Sequence, residues 1–249
     1  MKHKIYIVGM GPGAEEMMSG QAYRILKESD TIIGYQVYLE LLGEEFAGKE
    51  LLSTPMRKEI ERCLLCFEKA GEGKKVAFIC SGDAGVYGMA SLMYELQKDY
   101  PDCELEVVPG ITAASSGAAC LGAPINHDFC VISLSDLLTP WETIEKRLRA
   151  AAAGDFAIVL YNPSSKKRAD YLKRACDILL ENLEETRPCG YVENIGREGT
   201  KTEVCTLSEL RNCQVNMFTT VFIGNSQTVV LDGKLVTKRG YEVDSRVGA

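Results

Sequence analysis

Segments rich in glycine or other turn-forming residues follow predicted strands at five places, and this pattern constrains the fold more than any other feature of the sequence. Short apolar runs precede the segments, and helical spacing of apolar residues follows most of them. Strands that alternate with helices predict a parallel α/β sheet. Because ligands of open α/β sheets bind beyond the carboxyl ends of the strands, we expect a crevice lined by residues 9–13, 81–88, 109–110, 161–165 and 194–199.

The 249 residues divide into two halves of this kind. A stretch rich in turn-forming residues, LGAPINHD at 121–128, separates them. We therefore expect two α/β domains, residues 1–120 and 121–249, each long enough to bury a core. One helix start has a specific signal, with Thr139 as the N-cap and Pro140 at the first helical position.

The predicted elements follow from apolar periodicity. Strands are predicted at 4–8, 31–33, 76–80, 104–108, 129–134, 156–161, 188–192 and 219–223. Residues 234–236 either end the sheet or form a terminal hairpin. Helices are predicted at 15–29, 57–70, 88–98, 112–120, 141–153 and 167–181.

The charge of the chain argues against nucleic acid or an anionic membrane surface as its partner. The formal net charge is -7 and the pI is near 5.1, so the overall field repels phosphate. The N-terminal apolar run in MKHKIYIVGMGPG is too short for a signal peptide. No later run approaches the roughly 20 apolar residues of a membrane span, and we expect a cytoplasmic protein.

Ten cysteines raise the question of a metal site or disulfides. Cys63 and Cys66 alone form a CxxC, which lies in a stretch with helical periodicity, and the chain has two histidines. A structural zinc site needs four ligands in paired spacing. We therefore predict free, mostly buried thiols and no metal, with zinc or an iron–sulfur cluster as the alternative.

The first glycine segment, VGMGPGAEE, allows three interpretations. Gly9, Gly11 and Ala14 match the dinucleotide fingerprint G-x-G-x-x-G/A, and Asp30 lies near the distance expected of a ribose-binding acid. Pro12, however, removes an amide donor from the middle of the loop that would hold a pyrophosphate. The segment is a rigid wall for another ligand, a βα turn without a ligand, or part of an NAD-binding oxidoreductase.

Polar side chains in the next two segments are candidates for ligand contacts. In CSGDAGVYG, Asp83 is either a carboxylate that faces a positively charged ligand or a helix N-cap. In VVPGITAASS, Thr112 offers a hydroxyl beside small residues. Those small residues either leave room for a ligand or pack a helix against the sheet.

Cations and one histidine complete the candidates. Lys166, Lys167 and Arg168 stand at a predicted helix start, where they oppose the helix dipole. Either an anionic substrate or solvent offsets their charge. Arg197 lies in the glycine-rich NIGREGT. His127 stands in the predicted linker and is a candidate proton shuttle, since histidine exchanges protons near neutral pH, or is structural.

Together these segments resemble the tetrapyrrole methylase family, the class III methyltransferases, from Ile5 to Tyr241. VGMGPG is similar to the family's N-terminal glycine–proline loop, SGDAGVYG to its SGDP-type loop with Ala84 where proline is common, and VVPGITAASS to its PGITA segment. The resemblance implies two αβα domains with the active-site cleft between them. It also implies S-adenosyl-L-methionine as the methyl donor, a small tetrapyrrole substrate and, usually, a homodimer.

The resemblance further implies which residues serve the reaction. The donor contacts would be Gly11, Pro12, Ser81, Gly82, Asp83, Val86, Thr112, Ala113, Asn162 and Ile195. Apart from the resemblance, Lys166, Lys167, Arg168 and Arg197 are our candidates for holding the carboxylates of such a substrate, and His127 is our candidate acid or base.

Three segments in the second half, SLSDLLTPWETIEKRL, LYNPSSKKR and NIGREGT, are similar to one group within the family. That group methylates C17 of a corrin precursor, precorrin-3B or cobalt-factor III, in cobalamin biosynthesis. The likeness implies ring contraction with extrusion of the former C20 carbon. Another methylase of the same pathway, an NAD-linked oxidoreductase and a non-catalytic tetrapyrrole carrier are the alternatives.

Overall fold

A computed structural model describes residues 2–55, 57–165 and 168–241. The chain forms two compact units, Met1–Ala113 and Ala114–Ala249. Each unit is built on its own five-stranded sheet with helices, which confirms the predicted α/β class. The domain boundary expected at residues 120 and 121 stays a prediction.

The first unit alternates strands and helices along its length. Its elements are β1 (His3–Gly9), α1 (Gly20–Glu28), β2 (Thr31–Gly34), α2 (Gln36–Leu39), β3 (Glu50–Ser53), α3 (Glu59–Gly71), β4 (Val76–Cys80), α4 (Ala90–Gln97) and β5 (Cys103–Val108). Short 3₁₀ turns lie at Glu15–Met17 and Glu44–Phe46.

All strands of the first sheet run parallel, in the order β3-β2-β4-β1-β5. Both of its faces are buried, because successive side chains of a strand point to opposite sides. Ile7 and Phe78 pack on one face with the side chains of α3 and α4. Val8 and Ile79 pack on the other face with α1. The near-continuous apolar runs of these strands are what a sheet covered on both faces requires.

The second unit combines helices with a mixed sheet. Its elements are α5 (Ala113–Leu121), β6 (Gly122–Ala123), β7 (Phe129–Ser133), α6 (Trp141–Ala153), β8 (Ala157–Tyr161), α7 (Tyr171–Leu179), β9 (Pro188–Glu193), β10 (Lys201–Thr206), α8 (Leu207–Leu210), β11 (Thr219–Ile223), β12 (Thr228–Leu231) and β13 (Lys234–Thr237).

The second sheet has the order β10-β9-β11-β8-β7. β7, β8 and β9 share one direction, and β10 and β11 run against them. One face carries the core formed with α6, α7 and α8, including Leu148 and Leu172. α5 packs on the other face, where a Cβ on Gly117 would lie 2.9 Å from the ring of Phe222. The hairpin of β12 and β13 was one of two predicted outcomes for the chain end and is confirmed.

Several local predictions need correction. Pro140 is the N-cap of α6, and Thr139 is not. The helix predicted from residue 88 begins at Ala90, because Tyr87 has a φ of 54° and the chain folds back on Ala84. The helix predicted from residue 167 begins at Tyr171. The edge strands β3 and β10 were not predicted, because β3 has only four residues and β10 is mostly polar.

The helix predicted at 15–29 is interrupted. The 3₁₀ turn ends before Ser19, whose hydroxyl accepts a hydrogen bond from the Ala22 amide at 3.1 Å and caps α1. No helix in the described part of the chain has the length and apolar character that crossing a bilayer requires.

Candidate functional site

Three of the glycine segments meet at the carboxyl edge of the first sheet. They follow β1, β4 and β5, which are neighbours in the sheet. The Met10 amide donates to the carbonyl of Cys80 at 2.9 Å. Gly11 and Gly82 exchange two backbone hydrogen bonds, of 3.0 and 2.7 Å. The loops are therefore bound to one another through the backbone, as a rigid unit.

Glycine is required here because the backbones approach too closely for a side chain. A Cβ on Gly110 would lie 2.1 Å from the carbonyl oxygen of Gly82. A Cβ on Gly9 would lie 2.7 Å from the Gly110 nitrogen. These distances leave no room for a side chain at either position. Glycine at these positions is therefore what allows the loops to pack against one another.

The Asp83 carboxylate connects two of these loops. Its Oδ1 accepts from the Gly85 amide at 2.8 Å, and its Oδ2 accepts from the Gly110 amide at 2.9 Å. The nearest helix, α4, begins only at Ala90, so the interpretation of Asp83 as a helix N-cap is wrong. Its predicted contact with the donor stays a prediction, and both carboxylate oxygens already have partners.

The first glycine segment lacks the geometry of a pyrophosphate cradle. The amides of Met10 and Gly11 already donate to the carbonyls of Cys80 and Gly82, and Pro12 has no amide hydrogen. α1 begins at Gly20, so no α-helix N-terminus stands directly behind the loop. The arrangement argues against the NAD-linked alternative.

The remaining donor candidates of the first unit lie in the same three loops. Pro12 is buried, while Ser81, Val86, Thr112 and Ala113 are half-buried. The Val86 amide contacts the carbonyl of Asp83 at 3.4 Å. A Cβ on Gly82 would lie 3.7 Å from the Cα of Thr112. The structure therefore gathers the candidates of this unit at one edge of its sheet.

The carboxyl ends of β7, β8 and β9 form the corresponding edge of the second unit. Asn162 follows β8 with a φ of 54°, and its Nδ2 donates to Ser133 Oγ at 2.9 Å. Asn194 follows β9 and also has a φ of 54°. Left-handed backbone is uncommon outside glycine, and asparagine tolerates it best. Ile195 lies in the next position and is buried.

Tyr161 belongs to the segment 161–165 that was predicted to line the crevice, but its contact at this edge was not predicted. Its phenol oxygen accepts a hydrogen bond from the Ala114 amide at 2.7 Å. That amide belongs to the first turn of α5, where backbone donors have no partner within the helix. Tyr161 thus ties the start of α5 to the end of β8.

Arg168 is held by its neighbours on this edge. Its guanidinium donates to Ser135 Oγ at 2.7 Å and contacts Asp136 Oδ1 at 3.3 Å. The hydroxyl of Tyr171 donates to Asp136 Oδ2 at 2.6 Å. The hydrogen bond from Tyr171, with smaller contributions that include Arg168, holds the pKa of Asp136 below its ordinary value.

The other cation candidates differ in their setting. Arg197 is half-buried, and its guanidinium lies 5.3 Å from the centre of the Phe218 ring. The loop around it is fixed by Thr200, whose hydroxyl donates to the carbonyls of Asn194 and Arg197. Lys166 and Lys167 lie outside the described residues.

His127 lies at the opposite edge of the second sheet. It precedes β7, whose register with β8 pairs Phe129 with Ala157 and Ser133 with Tyr161. One strand length, about 17 Å, therefore separates it from the Asn162 edge. Its Nδ1 accepts from the Asp128 amide at 2.9 Å. The structure does not bring His127 together with the described candidates of the second unit.

A cavity of about 420 Å³ adjoins His127 and is lined by polar residues that include Lys238 and Arg239. The Asp155 carboxylate in this cavity accepts hydrogen bonds from the Ser226 amide at 2.8 Å and from the Ser226 hydroxyl at 2.5 Å. Both of its oxygens therefore already have a partner.

The cysteines are free thiols, as predicted. Cys63 and Cys66 are buried in the core of the first unit. Burial raises the pKa of Cys63 to about 12 and that of Cys66 well above its ordinary value. Among the described residues, no group of three or more His, Cys, Asp or Glu side chains could hold a metal ion.

Comparison with known proteins identifies the family. The profile of the tetrapyrrole (corrin/porphyrin) methylases matches residues 4–211. The chain belongs to this family. A Salmonella typhimurium protein named as a probable cobalt-factor III C(17)-methyltransferase is 44% identical over 236 residues, which cover 94% of this chain and 98% of that protein.

Other matches extend the comparison. The Priestia megaterium cobalt-factor III methyltransferase is 44% identical, and its match covers 97% of this chain. The chain spans about half of that protein, 46%, and 54% of another relative, from Archaeoglobus fulgidus. The crystal structure of the methyltransferase CobJ superposes with a TM-score of 0.87 at 36% identity, covering 94% of this chain and 99% of CobJ.

Proposed function

We propose that this tetrapyrrole methylase transfers a methyl group from S-adenosyl-L-methionine to C17 of a corrin precursor in cobalamin biosynthesis, with contraction of the ring. The observation that carries the proposal is the match to the Salmonella protein, because 44% identity extends over nearly the whole of both chains. The substrate is precorrin-3B or cobalt-factor III. The protein acts as a homodimer, as the resemblance implies, and works in the cytoplasm.

The loops of the first unit suit a sulfonium donor. None of residues 9–13, 81–88 and 109–112 is Lys or Arg, so this edge carries no charge that would repel a cation. Gly9, Gly82 and Gly110 let the loops pack closely, backbone against backbone. Ser81 and Thr112 offer hydroxyls beside them. The donor, when bound, supplies a methyl group on a positively charged sulfur that is open to in-line displacement.

The task of the chain in such a transfer is positioning. Holding two reactants in line contributes at most roughly 7–11 kcal/mol to lowering a barrier. Asp83 serves this task by fixing the loops after β4 and β5, and Gly11, Pro12, Val86 and Ala113 line the same edge. Asn162 and Ile195, in the second unit, are further proposed donor contacts.

Cations at the second unit's edge suit the carboxylates of the corrin precursor. Arg197 is our proposed contact there, with Lys166 and Lys167 following Asn162 in the sequence. Arg168 is already paired with Asp136, so we propose that it mainly holds the loop. His127 lies about one strand length from this edge, and the proposal gives it no role in the transfer.

The proposal is tested by mass spectrometry of the products formed from the donor with precorrin-3B and, separately, with cobalt-factor III. The expected product gains one methyl group, and carbon NMR with a labelled donor finds it on C17. A label on another carbon would identify a different methylase of the pathway. Binding of the pigment without any gain in mass would favour the carrier.

A further inference from the structure

The loop after β7 presents two adjacent leucines to solvent. Leu138 is 98% exposed, more than any other large apolar side chain in the described part of the chain, and Leu137 is 66% exposed. They belong to residues 134–140, here named the leucine loop. Single exposed apolar residues are ordinary, but adjacent ones that are held away from the core indicate a contact surface.

The leucine loop is fixed on both sides of the two side chains. Leu134 is fully buried, and its amide donates to the carbonyl of Tyr161 at 2.9 Å. Asp136 is held by Tyr171 at 2.6 Å and by Arg168 at 3.3 Å. Because only one residue separates Leu138 from the start of the α6 cap, the loop has little freedom to fold the leucines inward.

The far end of the loop is equally well held. The Trp141 ring lies 4.6 Å from the Tyr171 ring, and the Arg174 guanidinium lies 4.0 Å from the Trp141 ring. The Tyr171 side chain thus holds the loop twice, by its hydroxyl on Asp136 and by its ring on Trp141. Held in this way, the two leucines are presented at an almost fixed position.

The position of the loop indicates what the leucines contact. It follows Ser133, which binds Asn162 at the carboxyl edge of the second sheet. The ligand proposed for this edge is a macrocycle, which has a flat apolar face and carboxylates on its rim. Two leucines match the face, and Arg197, in the loop after β9 at the same edge, matches the rim.

A second copy of the chain fits these leucines less well. Stable protein interfaces bury roughly 1,200–2,000 Å², and two side chains supply a small part of that area. The neighbours Ser135, Asp136 and Thr139 are polar and half-buried, so they do not extend the apolar surface.

We propose that Leu137 and Leu138 contact the flat face of the tetrapyrrole substrate, and that Asp136 and Tyr171 are positioning residues that hold the leucine loop. The inference deepens the proposed function and rests on it for the identity of the macrocycle.

The contact is tested by titrating cobalt-factor III, and in parallel precorrin-3B, into the protein. Trp141 is the only tryptophan in the chain, so quenching of its fluorescence by the pigment gives a binding curve without turnover. L137S/L138S is expected to raise the Kd of the macrocycle about tenfold. L137M/L138M keeps the apolar surface and should stay within about twofold of wild type. L231S, on the exposed end of β12, is the matched control and should leave the Kd unchanged.

The positioning role is tested with D136N and Y171F. Y171F keeps the ring against Trp141 and removes only the hydroxyl. Both variants are expected to raise the KM of the macrocycle about threefold, with the KM of the donor and kcat unchanged. A purely structural defect would lower kcat and donor binding together with substrate binding, which would overturn the positioning role.

The contact is refuted if L137S/L138S binds the macrocycle as tightly as wild type. It is also refuted if the wild type sediments as a dimer and L137S/L138S sediments as a monomer, because the leucines would then join two copies of the chain. If the wild type binds the pigment without methylating it, the proposed function fails, while the comparison of leucine variants still decides the contact. If the wild type binds neither pigment, both fail.

Discussion

The Oδ2 atom of Asp83 accepts a hydrogen bond from the Gly110 amide at 2.9 Å and so joins the loops after β4 and β5. The other oxygen of the same carboxylate holds the Gly85 amide. A carboxylate that takes two backbone donors fixes both loops at once, since charged acceptors form stronger hydrogen bonds than neutral ones. At the edge proposed to hold the methyl donor, the Asp83 side chain therefore adds the link between the loops after β4 and β5 to the backbone bonds between the loops after β1 and β4.

Replacing Asp83 with alanine removes both hydrogen bonds and leaves the two amides without this acceptor. We expect the free energy of unfolding to fall by about 2 kcal/mol. We also expect the donor to bind about tenfold more weakly, because the loops lose their fixed spacing. Urea unfolding and titration calorimetry with S-adenosyl-L-methionine measure the two effects. D102A, at an exposed loop position, is the control. Unchanged donor affinity would leave Asp83 with a role in folding alone.

Replacing Gly110 with alanine forces a Cβ to within 2.1 Å of the Gly82 carbonyl. Backbone atoms cannot move aside as a flexible side chain can, so we expect a loss of about 3 kcal/mol in the free energy of unfolding. The control is G71A at the end of α3, where a Cβ meets no atom within 4 Å among the described residues. That variant should be neutral or more stable by up to about 1 kcal/mol. Equal stability of the two variants would contradict the predicted clash.

The loop positions were predictable because glycines and strand ends are local features of the sequence. The parallel strands of the first sheet were predictable as well, from their short apolar runs. The partners of the functional side chains were not predictable, since they come from distant segments. Gly110 lies 27 residues from Asp83, and Ala114 lies 47 residues from Tyr161. Only the fold brings these pairs together.

The assignment of Arg168 illustrates the same limit. A run of cations at a predicted helix start indicates either an anionic ligand or a solvated face, and the charge alone does not decide between them. The carboxylate that pairs with Arg168 belongs to Asp136, 32 residues earlier, and the spacing of the two gives no sign of the contact.

The edge strand β10 could not be found from periodicity either, because one side of an edge strand faces solvent and tolerates polar residues.

Replacing Tyr161 with phenylalanine removes the acceptor of the Ala114 amide and keeps the ring. Ala114 is buried, so water cannot readily replace the hydroxyl. We expect a loss of about 1–2 kcal/mol in the free energy of unfolding, as for a lost helix cap. The Ala114 amide should also exchange its hydrogen faster. Hydrogen exchange measured by NMR tests this, with Y94F at an exposed position as the control. Unchanged protection of Ala114 would show that the bond does not hold α5.

The last prediction concerns acid. The hydrogen bond from Tyr171 and the nearby Arg168 keep the pKa of Asp136 below its ordinary 3.8. A group whose pKa is lower in the folded state stabilises the fold above its unfolded pKa and loses that contribution as the pH falls through the folded value. We therefore expect the contribution to be complete at pH 5 and to decline below about pH 3.8. Urea unfolding between pH 6 and pH 3 measures it. D136N should lower stability at pH 6 and show a shallower decline in acid than wild type. The control D170N, at an exposed position, should decline in parallel with wild type. An identical acid slope for D136N would mean that the Asp136 carboxylate does not stabilise the fold.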